Sequence, residues 1–261
     1  MLKKRLVGVI TVKNGLAVQS FGYNRYLPLG RPECLAENFD RWGADEILIQ
    51  VIDRSATSLG PDFKLVERLG ALGLGTPLIY AGGIRAVSDG VKLVQLGADR
   101  IVMDAMLHEN LLPIKYLSEK LGAQALIASL PVSWSEGDLA WYDYRTHCSK
   151  PISNEVLKMI QTGAVSEVLL TDWMHEVKYN GFEQKLVEKF PLENVPIIAF
   201  GGLTNSDQMK KLLQLPRVVA LAVGNFLSYR EHAIQAYKAA LAGLSLRHAT
   251  YDSAFSLITD V

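Results

Sequence analysis

The fold predicted for this sequence is a (βα)8 barrel. Three observations predict it: eight short apolar runs, helix-length amphipathic segments between most of them, and an echo of the first half in the second. The chain has 261 residues, close to the ~250 typical of that fold. No linker interrupts it, so a single domain over 1–261 is expected, with a tail from about 244 to 261.

The apolar runs are Leu6–Thr11, Glu46–Val51, Pro77–Ala81, Arg100–Met103, Ala125–Ser129, Glu167–Thr171, Pro196–Phe200 and Val218–Val223. They are mostly continuous in Val, Ile, Leu and Ala, the pattern of a parallel sheet covered on both faces. The intervening segments include Pro32–Trp42, Asp62–Leu69, Ala86–Leu96 and Asn205–Leu213. The last of these opens on Asn205-Ser206-Asp207, a cluster suited to capping a helix N-terminus. Gly43-Ala44-Asp45-Glu46-Ile47-Leu48-Ile49 is echoed by Gly163-Ala164-Val165-Ser166-Glu167-Val168-Leu169-Leu170. Pro77-Leu78-Ile79-Tyr80-Ala81-Gly82-Gly83-Ile84 is echoed by Pro196-Ile197-Ile198-Ala199-Phe200-Gly201-Gly202-Leu203. Both echoes fall about 120 residues apart, so two halves of four βα units should close on one another with pseudo-two-fold symmetry.

A hydrophobic fraction of 49% and a charged fraction of 21% are ordinary for a soluble globular chain. Lys plus Arg and Asp plus Glu both number 27, so the net charge is zero. That argues against a broad footprint for nucleic acid or for an anionic membrane. Met1-Leu2-Lys3-Lys4-Arg5 puts basic residues before an apolar run, but Leu6–Val12 is short and ends against Lys13-Asn14-Gly15, which suits a buried strand better than a signal peptide. No run approaches the ~18 apolar residues of a membrane span. Cys34 and Cys148 are too few for a disulfide framework, so reduced thiols and a cytoplasmic location are expected.

In such a barrel the working groups sit at the C-terminal ends of strands and in the loops that follow. Gly201-Gly202 and Gly224-Asn225, after the seventh and eighth strands, are where these barrels commonly hold a phosphate through backbone N–H groups. Tight βα turns would use the same glycines. Asp104 after the fourth strand would repel a phosphate, so one phosphate site rather than two is expected. Asp104 and Asp172 lie on opposite halves and are candidates for an acid–base pair facing across the mouth. Arg85 reads as a solvated rim arginine. Asp172, His175 and Glu176 lack the spacing of a metal site, so neither metal nor cofactor is expected. Trp134, Trp141 and Tyr142, after the fifth strand, would either stack on a sugar ring or pack their loop.

Together with these features, Lys4-Arg5, Val12-Lys13-Asn14-Gly15, Gly43-Ala44-Asp45-Glu46, Gly82-Gly83-Ile84-Arg85, Gly97-Ala98-Asp99-Arg100, Glu109-Asn110, Glu167-Val168-Leu169-Leu170-Thr171, Asn180-Gly181-Phe182 and Pro196-Ile197-Ile198-Ala199-Phe200-Gly201-Gly202 appear in order. The set resembles the cyclase subunit of imidazole glycerol phosphate synthase from residue 1 to roughly 240. The resemblance implies a class I glutaminase docked on the N-terminal face as a heterodimer partner, with ammonia passed through the barrel. It further implies a charged gate at Arg5, Glu46, Arg100 and Glu167, and an interface residue at Asp99. A plain salt-bridge ring satisfying the barrel floor is the competing reading of those four charges.

The departures lie at the mouth. Thr11 and Pro131 stand where the family has its catalytic aspartates, and neither side chain can exchange a proton near pH 7. Gln19 stands for a substrate-phosphate lysine, Asp104-Ala105 for an Asn-Thr phosphate pair, and Glu176-Val177 for an Asp-Gly pair. Asp53, Asp104 and Asp172 remain as catalytic candidates. A kept bottom under a rewritten top resembles the cyclase-like proteins that accompany glutaminases in surface-polysaccharide gene sets. There they supply ammonia, with a separate sugar amidotransferase, for acetamidino-sugar formation. Two alternatives stay open: a histidine-pathway cyclase with relocated acid–base residues, and a non-catalytic barrel binding a sugar phosphate or nucleotide sugar. The tail, with Arg247, His248 and Tyr251, reads as a surface segment or a dimer contact.

Overall fold

The computed structural model describes residues 3–135, 137–176, 178–228 and 233–247. From the N-terminus, β1 (Arg5–Lys13) leads into an antiparallel hairpin, β2 (Leu16–Phe21) and β3 (Arg25–Gly30). Then come α1 (Pro32–Arg41), β4 (Glu46–Val51), α2 (Phe63–Gly70), β5 (Leu78–Ala81), α3 (Val87–Gln95), β6 (Arg100–Met103), α4 (Ala105–Glu109) and α5 (Leu112–Leu121). The second half opens on β7 (Leu126–Ser135), which folds back through β8 (Asp138–Asp143) and β9 (Cys148–Lys150). It continues with α6 (Asn154–Gln161), β10 (Glu167–Asp172), α7 (Lys185–Glu188), β11 (Ile197–Phe200), α8 (Ser206–Gln214), β12 (Val218–Val223) and α9 (Ala233–Ala240).

Strands β1, β4, β5, β6, β7, β10, β11 and β12 pair in parallel in that order. The β12–β1 pairing, from Arg5 opposite Ala220 to Gly8 opposite Val223, closes the barrel. Side chains alternate along β1: Val7 and Val9 join the apolar plug inside the barrel, while Leu6, Ile10 and Val12 pack outward under the helices. Gly8 faces outward too, and its lack of a Cβ lets the Phe39 ring of α1 lie against the strand.

Local chemistry sets the helix starts. Asp62 caps α2 by accepting from Leu65 N at 3.1 Å, and Ser153 caps α6 by accepting from Val156 N at 3.3 Å. Asn205 accepts from Asp207 N at 2.7 Å, as its cluster predicted, and α1 opens on Pro32, whose missing N–H costs nothing there.

The two-half repeat is visible in the backbone. Gly82 and Gly83 have φ of 132° and 72°, and Gly201 and Gly202 have 104° and 66°. A Cβ on Gly82 would lie 2.3 Å from Val51 O, and one on Gly201 would lie 2.4 Å from Asp172 O. Each first glycine is thus pressed against the carbonyl ending the preceding barrel strand. The antiparallel excursions also follow the first barrel strand of each half. Gly201→Ala combines a left-handed backbone with a clash against that carbonyl. It should cost about 2–3 kcal/mol, read from the denaturant midpoint.

The excursions lengthen β1 and β7 beyond the predicted runs, which stopped at Thr11 and Ser129. The signals were present. Asn14-Gly15 turns the first hairpin with φ of 50° and 76°, and Asp138–Asp143 alternates exposed and buried positions along the strand.

At the N-terminal end of the barrel, Lys4 N donates to Ser245 O at 2.7 Å, and Lys4 forms a parallel bridge with Leu246. The start of the tail therefore lies beside β1. Arg247 is exposed, whereas His248 and Tyr251 lie outside the described residues. Cys34 and Cys148 are free and exposed. Among the described residues no helix is long and apolar enough to cross a membrane.

Candidate functional site

The floor of the barrel is a closed ring of charge. Arg5 reaches Glu46 at 2.9 Å with Nη1 and Glu167 at 2.7 Å with Nη2. Arg100 reaches the same two carboxylates, at 3.1 and 3.0 Å. Arg100 also donates to Ser166 Oγ at 2.9 Å and to Gln124 O at 3.1 Å. The four side chains are only 6–14% exposed, so their desolvation is offset mainly by one another. Burial works against the Arg5 cation, but the two glutamates outweigh it and hold its pKa above the usual value. All four positions are those expected for the ring, and alternating signs around it leave no cation without an anion on either side.

Above the ring the barrel is filled by Val7, Leu48, Ile79, Val102, Ile127, Leu169 and Ile198, together with Ala81, Ala220 and Ala222. Above that plug, at the C-terminal face, lies a cavity of about 460 Å³. The hairpin supplies Tyr23, Asn24 and Tyr26, the segment after β4 supplies Ser55, and the β8–β9 connection supplies Tyr144 and His147. Tyr142 and Trp173 form one wall, their rings stacked 3.9 Å apart at 18°. No lysine or arginine lines the cavity among the described residues.

Asp104 is the carboxylate candidate that the structure brings into the cavity. Burial pushes its carboxyl up to about 7, against opposing pulls from the Ser55 hydroxyl and from Arg145. Its Oδ1 is shut off from solvent and has no hydrogen-bond partner among the described residues.

Asp53 and Asp172 do not join it. Asp53 accepts from Asn14 N at 2.7 Å and steadies the hairpin turn. Asp172 is fully buried and belongs to the outward-facing set of β10; it accepts from Glu183 N at 2.8 Å and contacts His175 Nδ1 at 2.8 Å. The expected Asp104–Asp172 pair across the mouth is therefore corrected: strand alternation sends Thr171 and Trp173 to the cavity and Asp172 to the helix layer. Pro131 lines the cavity, and Thr11 is buried at the end of β1. Gln19, in β2 of the hairpin and opposite Leu27, is buried as well.

Of the groups expected to bind a phosphate, the Asn225 side chain is engaged within the chain. Gly202 O accepts from Gly181 N at 3.1 Å, and the Asp172 and His175 carbonyls lie where a Cβ on Gly201 or Gly202 would stand. Asn225 clasps the hairpin, donating from Nδ2 to Ser20 O and accepting from Ser20 N at 3.1 Å. Glu176, buried with its pKa raised, accepts from Tyr23 N at 3.3 Å and ties the segment after β10 to the same hairpin. Asp99 is exposed at the bottom face and accepts from Leu78 N at 2.7 Å.

The arginines nearest the mouth are paired. Arg85, read from sequence as solvated, instead meets Glu109 at 3.2 Å and donates to Ser55 O. Arg145 meets Glu109 at 2.7 Å and Asp143 at 2.9 Å. Burial tends to raise Asp143, but the Arg145 hydrogen bonds hold it down at about 2. Burial lowers His108 to about 4, so its 3.4 Å contact with Asp143 is not an ion pair at neutral pH. Trp141 stacks on His108 at 3.9 Å and is buried, so it packs the loop, while Tyr142 faces the cavity. Lys13 sits over the Tyr26 ring, 3.7 Å from its centroid.

Such a barrel, with a polar mouth, an apolar middle and a charged floor, belongs to the two-halved class of (βα)8 barrels. The chain is a member of the histidine biosynthesis protein family, whose model matches residues 5–233. It is 28% identical over 254 residues to imidazole glycerol phosphate synthase subunit HisF of Staphylococcus aureus (strain MRSA252), covering 95% of this chain and 100% of that one. Over 250 residues it is 27% identical to a Vibrio vulnificus (strain YJ016) protein provisionally named subunit hisF2 of the same synthase, with 94% and 91% covered. The HisF subunit of Exiguobacterium sp. (strain ATCC BAA-1283 / AT1b) is 25% identical over 240 residues, with 91% and 93% covered.

Proposed function

We propose that this chain is a cyclase-like barrel that receives ammonia from a class I glutaminase at its N-terminal face and delivers it to an acceptor at its mouth. The relatives' names describe subunits of a synthase, which supports a partnered role. The carrying observation is the contrast between the two ends. The four-charge ring is complete, while the cavity has one carboxylate and no lysine or arginine on its lining among the described residues. The acceptor is then not a two-phosphate substrate, and acetamidino-sugar formation for a surface polysaccharide, with a separate sugar amidotransferase, suits the mouth better. A cytoplasmic location goes with that role.

A second reading is favoured by Asp104. A carboxyl poised near pH 7 in the cavity is what a relocated general acid–base would need, so a genuine histidine-pathway cyclase is the rival.

A cyclase assay with the histidine-pathway ribulosyl intermediate and excess ammonium at alkaline pH separates the two, because free ammonia bypasses any glutaminase. No turnover by the folded protein is expected; turnover would make it a true cyclase. Glutaminase activity that a cognate partner fails to raise on adding this chain would defeat ammonia delivery itself.

A further inference from the structure

We infer that the mouth cavity takes an uncharged, ring-shaped substrate moiety bearing an amide or hydroxyl groups, with any phosphate left outside. This rests on the mouth being the acceptor site, and it names the class of acceptor. The cavity volume, about 460 Å³, suits one small ring with substituents.

Three features define the class. First, the walls are aromatic: Tyr23, Tyr26, Tyr142, Tyr144 and Trp173 all line the space, and the Tyr142–Trp173 stack fixes one flat face. Flat aromatic walls favour the C–H face of a saturated ring or another planar group over a compact, strongly hydrated anion. Second, no lysine or arginine lines the space among the described residues, His147 Nδ1 is already paired with the Tyr142 hydroxyl at 3.1 Å, and Arg85 and Arg145 are already bound to Glu109 and Asp143. Desolvating a dianion with no partner is prohibitive. Lys13, 3.7 Å from the Tyr26 ring centroid, is not among the residues that line the cavity.

Third, three lining residues keep polar atoms shut from solvent and unpaired among the described residues: Asp104 Oδ1, Gln50 Oε1 and Trp173 Nε1. Buried polar atoms are nearly always paired, so a ligand is the natural source of the missing partners. One donor and two acceptors call for a ligand with one carbonyl-like acceptor and N–H or O–H donors. An N-acylated hexosamine carries both around one uncharged ring.

The test is isothermal calorimetry on the full chain alone at pH 7.5, a working value chosen near the ~7 poise of the mouth carboxyl, with N-acetylglucosamine, N-acetylgalactosamine and N-acetylmannosamine against fructose 1,6-bisphosphate. At least one N-acetylhexosamine should bind with millimolar affinity or better, and the bisphosphate more weakly. Trp173→Phe keeps the stack but removes the donor, and it should weaken that binding about 3- to 10-fold at an unchanged thermal midpoint. Tighter binding of the bisphosphate, no binding by any of the three sugars, or a Trp173→Phe affinity equal to wild type would overturn the inference. No glutaminase is present, so a failed ammonia-delivery experiment leaves this result standing, and the converse holds.

Discussion

Arg5→Ala will destabilise the protein by about 3–5 kcal/mol, because it strands Glu46 and Glu167 as buried carboxylates on the barrel floor. Arg100 alone would remain to satisfy both. Arg5→Lys should recover only part of the loss, since one ammonium cannot reproduce two guanidinium nitrogens directed at two different carboxylates. Chemical denaturation of the three proteins measures both values. A fourth protein decides what the ring is for: Arg5→Met, Glu46→Leu, Arg100→Met and Glu167→Leu together replace it by apolar packing. Such replacements are often neutral or stabilising, so stability should return to near wild type. If the ring conducts ammonia, coupling to a glutaminase will stay lost in that protein; full coupling there would reduce the ring to structure.

Asp104→Asn will stabilise the protein above neutral pH by about 2–4 kcal/mol and leave it nearly unchanged at pH 4. The carboxyl has a model value of 3.8 when unfolded and is held to about 7 when folded. Between those values the folded chain binds more protons than the unfolded chain, so stability falls as pH rises through that window and stays low above it. His108 contributes in the opposite sense: its folded value near 4 lies below the ordinary 6.5, so stability is lost as pH drops through that range. Asp143, held at about 2, adds stability above pH 3.8 that is lost on further acidification. Subtracting the Asp104→Asn curve from wild type cancels the last two. A flat difference between pH 4 and 8 would mean that Asp104 ionises normally and is no candidate for proton transfer.

The barrel strands were legible because they are mostly continuous apolar runs flanked by turn chemistry; Glu46–Val51, Arg100–Met103 and Val218–Val223 have the predicted bounds. The charged ring was legible only through resemblance, as nothing in the spacing of Arg5, Glu46, Arg100 and Glu167 announces that they converge. The two antiparallel excursions were missed because each grows from the end of a barrel strand, where Lys13-Asn14-Gly15 was read as loop and Tyr142 as part of a loop. Both supply cavity walls, so the aromatic character of the mouth was missed with them. Asp172 was misplaced across the mouth because a strand end shows which residues are near the rim, while its inner or outer face depends on register. Asn225 and Glu176 were read as mouth residues when they hold the hairpin down, an attachment between segments far apart in sequence.

The ring also bears on how such a chain could have been assembled from smaller parts. Glu46 and Glu167 occupy equivalent positions in the two repeats, but both arginines come from the first half. Two copies of the first half would bring four arginines against two glutamates to the floor, and two copies of the second would bring two unopposed glutamates. Neither self-association is neutral. As it now stands, the sequence has charge balance at its floor only when unlike halves are joined, so any symmetric ancestor of this barrel had a different floor.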